Sequence, residues 1–203
     1  MPLRVQPIDI TLRQMPQARS NFGLIVITGL PGTGKTTLAR ELARSFRVPL
    51  LAKDMIKEPL LDVLGAGDRP HSRRMSDASF SVLFALAREL LTTGGGLILE
   101  GNFRAGEHEP EFLRVLPANA QPAVAITQVL CRVEESLRIE RLQRRAVDPS
   151  RHAGHRDAEL VAMGAEGGAA FLDIPGRRVE FDSRASPPDC EELMAVLGLG
   201  IAL

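Results

Sequence analysis

Short runs of consecutive apolar residues alternate along this chain with amphipathic stretches in which apolar residues recur every three or four positions. The apolar runs predict buried strands, over residues 24–28, 48–52, 97–99, 123–130 and 178–181. The amphipathic stretches predict helices, over residues 35–46, 54–64, 76–92, 107–116, 133–146, 157–171 and 187–197. Because strands that alternate with helices form parallel sheets with right-handed crossovers, the pattern predicts an α/β fold with helices on both faces of a parallel sheet.

The length of 203 residues fits one domain, which we expect to span residues 23–203 after a lead-in over residues 1–22 without sustained periodicity. Lys plus Arg and Asp plus Glu each number 25, so no net charge draws the chain to nucleic acid or to a membrane. No apolar stretch reaches the length of a membrane span, and the two cysteines lack disulfide or metal-ligand spacing. We therefore expect a cytoplasmic protein without a membrane partner, either a monomer or a homodimer.

The first predicted strand runs into a glycine-rich loop that matches the pattern G-x-x-x-x-G-K-[ST] over residues 29–36. Such a loop, the P-loop or Walker A motif, turns backbone N–H groups inward around phosphate oxygens, and the following helix adds its positive end. A chance glycine-rich turn is the alternative, but the strand before the loop and the amphipathic helix after it argue against chance. The predicted nucleoside triphosphate site comprises Gly29, Leu30, Pro31, Gly32, Thr33, Gly34, Lys35, Thr36 and Thr37.

Four side chains near the predicted strand ends are candidates for phosphate chemistry. Lys35 is expected to reach the β and γ phosphates, and the Thr36 hydroxyl to bind Mg²⁺. Asp54 follows the second strand, where it can accept the proton of a substrate hydroxyl or simply cap the next helix. Glu100 ends the third strand, where it can hold Mg²⁺ or bind the substrate, or be an idle solvated carboxylate.

Arginines cluster after the fourth strand, in a region over residues 138–157 that we expect to act as a lid. Arg141, Arg145 and Arg151 can close over the phosphates and stabilise the charge that spreads onto the transferred group. The alternative is a solvated helix face whose arginines pair with neighbouring glutamates, and such surface pairs contribute little.

Further basic residues lie where an acceptor pocket is expected. Arg73 and Arg104, together with Arg74, border this pocket and are candidates to bind an anionic substrate. His152 and His155 resemble a pair of metal ligands, but no carboxylate or cysteine converges with them in sequence. The spacing therefore argues against a metal site at these histidines.

A phosphate-binding loop is common to GTPases, motor and AAA+ ATPases and kinases, so other features must discriminate among these classes. The Asn/Thr-Lys-x-Asp element with which GTPases recognise their base is missing from the sequence. AAA+ modules need a helical lid domain and a longer chain than this one. An acidic residue after the second strand, another after the third and arginines after the fourth are typical of a small-molecule kinase.

These motifs resemble those of the P-loop kinases grouped as AAA-type zeta toxin-like or chloramphenicol phosphotransferase-like. The resemblance covers residues 23–197 and rests on the loop at 29–36, Lys53-Asp54, Glu100-Gly101-Asn102-Phe103, Arg141-x-x-x-Arg145 and the segment 151–157. It implies a nucleoside-kinase-like three-layer P-loop NTPase fold with a five-stranded parallel sheet of order 2-3-1-4-5. It also implies ATP with Mg²⁺, Asp54 as the base that orients the acceptor, and Arg141 and Arg145 as lid residues near adenine or phosphate.

We therefore expect an ATP-dependent phosphotransferase that moves the γ-phosphate to a hydroxyl of an antibiotic, sugar, nucleoside or nucleotide sugar. Its expected catalytic residues are Lys35, Asp54, Arg141 and Arg145. Its expected acceptor site comprises Asp54, Arg73, Glu100, Asn102, Arg104 and Arg151, with Thr36 and Glu100 for the metal. The absence of Trp and Tyr argues against a nucleic-acid substrate. Two alternatives remain open, an ATP-binding regulatory module with slow ATPase activity and a toxin-like kinase acting on a nucleotide sugar.

Overall fold

The computed structural model describes residues 23–93, 96–116, 124–152, 154–155, 157–163 and 168–184, together with Leu193. Within these residues the chain forms five strands, β1 (Leu24–Thr28), β2 (Leu50–Ala52), β3 (Leu97–Glu100), β4 (Ile126–Arg132) and β5 (Arg177–Asp182). The same residues form six helices, α1 (Lys35–Phe46), α2 (Lys53–Leu64), α3 (Arg69–Thr92), α4 (Glu109–Val115), α5 (Glu135–Ala146) and α6 (Asp157–Met163). None of the helices in the described ranges combines the length and the apolar character that a membrane span requires.

The five strands form one parallel sheet in the order β2-β3-β1-β4-β5, so the predicted order 2-3-1-4-5 is confirmed. In the register of this sheet, Glu100 at the end of β3 lies beside Ile27 of β1 and Ala52 of β2. The carboxyl ends of the three strands therefore meet at one edge, directly before the loops that carry the predicted site.

Two hydrophobic clusters bury the two faces of the sheet. Leu24 and Val26 of β1 face the cluster that includes Phe84 of α3, because successive strand residues point to opposite faces. Ile25 of β1 faces the other cluster, which includes Leu38 of α1. All five residues of β1 are buried, as expected for a central strand of a parallel sheet covered by helices on both sides. This burial anchors the loop that follows β1.

The structure corrects one element that positions the site. The sequence predicts a polar connector over residues 68–75 and a helix that Ser76 caps, but α3 begins at Arg69. Asp68 occupies the N-cap, where its Oδ1 accepts a hydrogen bond from the His71 backbone N–H at 2.9 Å. Pro70 lies in the first turn, where its missing N–H costs nothing. The polar stretch is therefore helical, and Ser76 lies inside the helix.

Apart from the end of α6, the other boundaries agree with the sequence predictions to within three residues. The sequence predicts a helix over residues 157–171, but α6 is described only as far as Met163, and residues 168–171 are not helical. Glycine is a poor helix former, and Gly167 and Gly168 lie in this stretch.

The largest difference among the strands is at β4, which begins at Ile126 rather than at residue 123 and ends at Arg132 rather than at residue 130. The lead-in over residues 1–22 lies outside the described residues, as does the helix predicted over 187–197 apart from Leu193. Leu193 is buried in the same cluster as α1.

Candidate active site

The loop between β1 and α1 has the geometry of an anion nest. Gly34 takes the N-cap position of α1 with a φ of 76°, in the left-handed region that favours glycine. No side chain caps this helix end, so the N–H groups of its first turn remain for a ligand. At Gly29, with φ 149°, a Cβ atom would lie 2.6 Å from the Cys131 carbonyl oxygen of β4. Glycine is therefore required where the loop leaves the sheet.

Lys35 is buried at the first position of α1, beneath the loop. Its Nζ donates a hydrogen bond to the Leu30 carbonyl oxygen at 2.9 Å. Burial lowers the pKa of Lys35, and the nearby carboxylate of Glu100 opposes this effect. A desolvated ammonium group inside the loop is placed to gain strongly from an anionic ligand.

The carboxylate of Glu100 lies beside the hydroxyl of Thr36 and is hydrogen-bonded to it. The Thr36 hydroxyl donates to Oε2 of Glu100 at 3.2 Å, and only 4% of Glu100 is exposed. Burial raises the pKa of Glu100, while Lys35 acts to lower it. A buried carboxylate and a hydroxyl beside a phosphate nest fit Mg²⁺, which prefers oxygen ligands and takes the rest from water and phosphate. The described residues contain no cluster of three or more His, Cys, Asp or Glu side chains that could hold a metal alone.

Asp54 lies in the first turn of α2, but it does not cap the helix. The N-cap is Ala52, and no side chain makes a capping hydrogen bond there. The Asp54 carboxylate instead accepts a hydrogen bond from Lys53 Nζ at 2.9 Å. Burial acts to raise the pKa of Asp54, but Lys53 outweighs it, with help from His155 and Lys35, and the pKa is about 2. The carboxylate is therefore ionised at neutral pH, a good hydrogen-bond acceptor and a weak base.

Arg145 and Arg151 converge on one carboxylate, that of Asp157 at the start of α6. Arg145 donates to both oxygens of Asp157, at 2.8 and 3.3 Å, and Arg151 Nε donates to Oδ2 at 2.9 Å. The Asp157 side chain is only 3% exposed, so this arrangement is held away from water. Sequence reasoning missed the role of Asp157, because the pairing depends on how the segment between α5 and α6 folds back.

Arg141 lies one helical turn from Arg145 but has different contacts. Its Nη2 donates to the Ser183 carbonyl oxygen at 2.8 Å, and its Nη1 lies 3.5 Å from the Gly32 carbonyl oxygen. Arg141 thus links the P-loop to the end of β5, and its contact with a nucleotide stays a prediction. Arg138, which the sequence analysis did not single out, is buried and donates to the Pro31 carbonyl oxygen at 3.2 Å.

One cavity of about 380 Å³ unites most of the predicted residues. It is lined by Pro31, Gly32, Gly34, Lys35, Thr36, Thr37, Asp54, Arg73, Glu100, Asn102, Arg104, Arg145 and Arg151. The other predicted residues, Gly29, Leu30, Thr33 and Arg141, are not part of this lining, nor is Arg74. The volume is in the range typical of small-molecule sites.

The two histidines of the predicted lid region contact carboxylates of helix α2. His155 Nε2 lies 2.6 Å from Glu58 Oε1, and His152 Nε2 lies 3.0 Å from Asp62 Oδ1. Each histidine therefore has its own carboxylate partner. These contacts join the segment before α6 to the helix that carries Asp54.

Comparison with known proteins gives one family match, to the sequence model described as AAA domain, over residues 24–165. Among curated proteins, the chain is 30% identical over 146 residues to a shikimate kinase of Paracidovorax citrulli, covering 64% of this chain and 79% of that protein. It is 28% identical over 115 residues to a cytidylate kinase of Pyrobaculum arsenaticum, covering 56% of this chain. That match spans 62% of the cytidylate kinase, which is less than two thirds of its length.

Among solved structures, the chain is similar to a candidate kinase from Chloroflexus aurantiacus J-10-fl. The two share 31% sequence identity with a TM-score of 0.75, and the match covers 87% of this chain and 97% of that one. The similarity therefore extends over nearly the whole of the Chloroflexus protein. Together with the sheet order, these matches confirm the predicted α/β P-loop fold of kinases.

Proposed function

The chain belongs to the AAA domain family, and from that premise we propose that it is a kinase that transfers the γ-phosphate of ATP to a hydroxyl group of a small molecule. One observation carries the proposal. A single cavity is lined by Lys35 and Thr36 of the P-loop, by Glu100 after β3 and by Asp54 after β2. Phosphoryl transfer needs groups that bind the phosphates, a metal site and a group that orients the acceptor. The cavity offers one candidate for each task.

The nucleotide half of the proposed site is the P-loop with its lysine. Backbone N–H groups of the loop and of the first turn of α1, from Gly34 onward, bind the phosphate oxygens, and Lys35 exchanges its bond with the Leu30 carbonyl oxygen for the β and γ phosphates. Thr36 and Glu100 hold Mg²⁺, which when bound neutralises charge on the phosphates. Arg141, which connects the P-loop to Ser183 after β5, is proposed to contact the nucleotide from that side.

The acceptor half of the proposed site is organised by Asp54. Its carboxylate accepts a hydrogen bond from the acceptor hydroxyl and points that oxygen at the γ-phosphorus. The acceptor oxygen forms its bond to phosphorus as the bond to the β–γ bridging oxygen breaks, and the bonding electrons leave with ADP. The Asp54 carboxylate has a pKa of about 2 and is a weak base, so it accepts the hydroxyl proton only after the bond to phosphorus has begun to form. This order fits a loose transition state, which needs little base catalysis at its start.

The arginines of the proposed lid complete the charge stabilisation. Arg145 and Arg151 line the cavity, and Asp157 holds both guanidinium groups. Charge spreads over the equatorial oxygens of the phosphoryl group during transfer, and fixed cations stabilise it without reorganisation. The finer assignment to the zeta toxin-like or chloramphenicol phosphotransferase-like group is supported by the motifs that contain Asp54, Glu100 and these arginines.

The test is ATP turnover by the purified protein, alone and with a panel of antibiotics, sugars, nucleosides and nucleotide sugars, with phosphorylated products identified by mass. We expect turnover that depends on an acceptor. In Asp54→Asn this turnover falls about 100-fold, the lower end of what a positioned acid–base group contributes. The binding of ATP stays near that of the wild type, because Asp54 is not part of the P-loop.

Asp77→Asn is the matched control, since Asp77 is an exposed residue of α3 outside the cavity. It should keep the acceptor-dependent rate. An Asp54→Asn protein that still transfers phosphate at the full rate contradicts the role of Asp54. Slow hydrolysis of ATP that ignores every acceptor and the state of Asp54 would instead favour the regulatory module.

A further inference from the structure

We propose that the acceptor half of the cavity contains a subsite for an anionic group, a carboxylate or a phosphate, formed by Arg69, Arg73 and Arg104. The inference rests on the proposed function, because the occupant of the subsite is the phosphate acceptor. It narrows the acceptor to a hydroxylated small molecule that carries a negative charge at a position other than the reacting hydroxyl.

The first wall of the subsite is one face of α3. Arg69, Ser72, Arg73 and Ser76 all line the cavity. They are spaced three and four residues apart, so they share one side of the helix. Ser72 is further bound to the opposing helix α2, because Lys57 Nζ donates to its hydroxyl at 2.9 Å. Since α3 begins at Arg69, its first two turns present a polar, cationic stripe to the cavity.

The second wall is the loop after β3, which fixes Arg104. The Arg104 backbone N–H donates to Nδ1 of His108 at 2.9 Å, and His108 is buried against the Phe80 ring, with centroids 4.3 Å apart. The Arg104 side chain donates through Nη1 to both oxygens of Glu107, at 2.8 and 3.0 Å. The guanidinium group is therefore held in a defined position in which Nε and Nη2 are not used by Glu107.

The two walls line the same cavity, and the charge of Arg73 on one wall reaches Glu107 beside the other. The pKa of Glu107 is lowered mainly by its hydrogen bonds to Arg104, and the positive charge of Arg73 adds to the effect. Arg73 of α3 and Arg104 of the loop thus act on the same carboxylate. Two guanidinium groups around one small space suit the bidentate binding of a carboxylate or phosphate.

The basic residues of the proposed subsite differ in their ion pairing from the other basic residues that line the cavity. Arg145 and Arg151 are paired with Asp157, and Lys53 is paired with Asp54. Across the part of the chain that the structure describes, Arg69 and Arg73 make no ion pair within 4.0 Å. Both side chains are exposed to the solvent of the cavity. Like charges close together are unfavourable unless an anion lies between them, and the acceptor is the molecule expected at this place.

The topology separates the subsite from the ATP phosphates. The P-loop follows β1, whereas α2 with Asp54 and α3 with its arginines follow β2. Asp54, the proposed acceptor-orienting group, lines the same cavity as the P-loop and the arginines of α3. An acceptor anchored by its anionic group at Arg73 and Arg104 can therefore present a hydroxyl to Asp54.

The experiment uses inorganic phosphate as the probe for the full chain. The P-loop is first saturated with Mg²⁺ and a non-hydrolysable ATP analogue, and phosphate is then titrated while the broadening of its ³¹P resonance is followed. We expect saturable phosphate binding that persists with the nucleotide bound. Arg73→Ala and Arg104→Ala should each weaken it about fivefold, the effect of losing one solvent-accessible charge pair.

Arg74→Ala is the matched control, because Arg74 is the next residue of the same helix, is exposed and does not line the cavity. It should leave phosphate binding unchanged. Thermal unfolding of each variant shows whether it is folded, and Arg73→Lys, which keeps the charge but not the planar fork, should recover part of the affinity. A parallel titration with acetate decides between a carboxylate and a phosphate, since the anion that binds more tightly identifies the type of anionic group that the subsite prefers.

The proposal is overturned if no saturable phosphate binding remains once the nucleotide is bound, or if Arg73→Ala and Arg74→Ala behave alike. Failure of the proposed function would look different. In that case the ATP analogue itself would not bind, or Asp54→Asn would turn over acceptor at the full rate. Phosphate binding that depends on Arg73 and not on Arg74 would still establish the subsite.

Discussion

Replacing Asp157 tests whether Arg145 and Arg151 work as a unit held by one carboxylate. Asp157→Asn keeps the shape of the side chain, removes its charge and leaves one acceptor oxygen in place of two. Three hydrogen bonds from the two guanidinium groups, between 2.8 and 3.3 Å, converge on the native carboxylate. The variant can satisfy only part of this set, and its NH₂ group then faces two cations.

The size of the effect follows from these contacts. A hydrogen bond to a charged group contributes about 1.5–3 kcal/mol. The arginine side chains are 35% and 25% exposed, so water compensates part of each lost bond, and we take about 2 kcal/mol for the whole change. If that free energy positions the arginines for the transition state, the rate of turnover falls about 30-fold, since 1.36 kcal/mol corresponds to a factor of ten.

The assay compares kcat and the KM for ATP in the wild type, Asp157→Asn and Asp157→Glu. We expect kcat to fall about 30-fold in Asp157→Asn with a smaller change in KM, and Asp157→Glu to recover part of the rate because the charge returns. Asp148→Asn is the control, since Asp148 belongs to the same connecting segment and its carboxylate accepts hydrogen bonds from the backbone N–H and the hydroxyl of Ser150. A merely structural role would lower the unfolding temperature of Asp157→Asn and leave the kcat of the folded fraction unchanged.

One result would refute the reasoning directly. If Asp157 holds the arginines away from the nucleotide, its neutralisation frees them to bind phosphate. The KM for ATP would then fall while kcat stayed constant or rose. That outcome would make Asp157 a restraint on the lid, and the arrangement of Arg145 and Arg151 in the structure would be a resting state.

Two further predictions concern the P-loop and Asp54. Gly29→Ala should destabilise the protein by about 3 kcal/mol and abolish ATP binding, because the new Cβ combines a strained φ of 149° with a contact of 2.6 Å to the Cys131 carbonyl oxygen. Urea unfolding measures this loss, and Gly168→Ala, in open space, should be neutral. The pKa of Asp54 is lowered from 3.8 to about 2, so its ionised form stabilises the fold above about pH 4, and this contribution disappears as the pH falls towards 2. The difference in unfolding free energy between wild type and Asp54→Asn should therefore narrow over that range, and a constant difference would contradict the assigned shift.

The sequence was sufficient for those features that depend on local pattern. The fully apolar run at 24–28, the glycine spacing at 29–36 and the apolar period after it predicted β1, the P-loop and α1, and the helix begins and ends at the predicted residues. Asp54 and Glu100 were found because ligands of parallel α/β sheets lie at the carboxyl ends of strands, and those ends can be located from the apolar runs alone.

The start of α3 could not be predicted in this way. One face of the helix over residues 69–76, formed by Arg69, Ser72, Arg73 and Ser76, lines a polar cavity and does not pack on the hydrophobic core. The sequence therefore shows no apolar period there, and periodicity alone predicts a loop. The Asp68 cap was the available signal, with Pro70 in the first turn. The placement of Arg69 and Arg73 on one face of a helix followed only from the structure.

Only the tertiary structure decided how the arginines after β4 are used. Arg141 and Arg145 are one turn apart on α5 and appear equivalent in sequence, but Arg141 binds Ser183, 42 residues away, while Arg145 binds Asp157. The reason is physical. Periodicity and spacing report which residues share a strand, a helix or a turn, whereas the partner of a long charged side chain depends on which distant segment the fold brings within hydrogen-bond reach. The sequence by itself determined the phosphate-binding scaffold, and the packing of β5 and α6 around it determined which cations face the cavity.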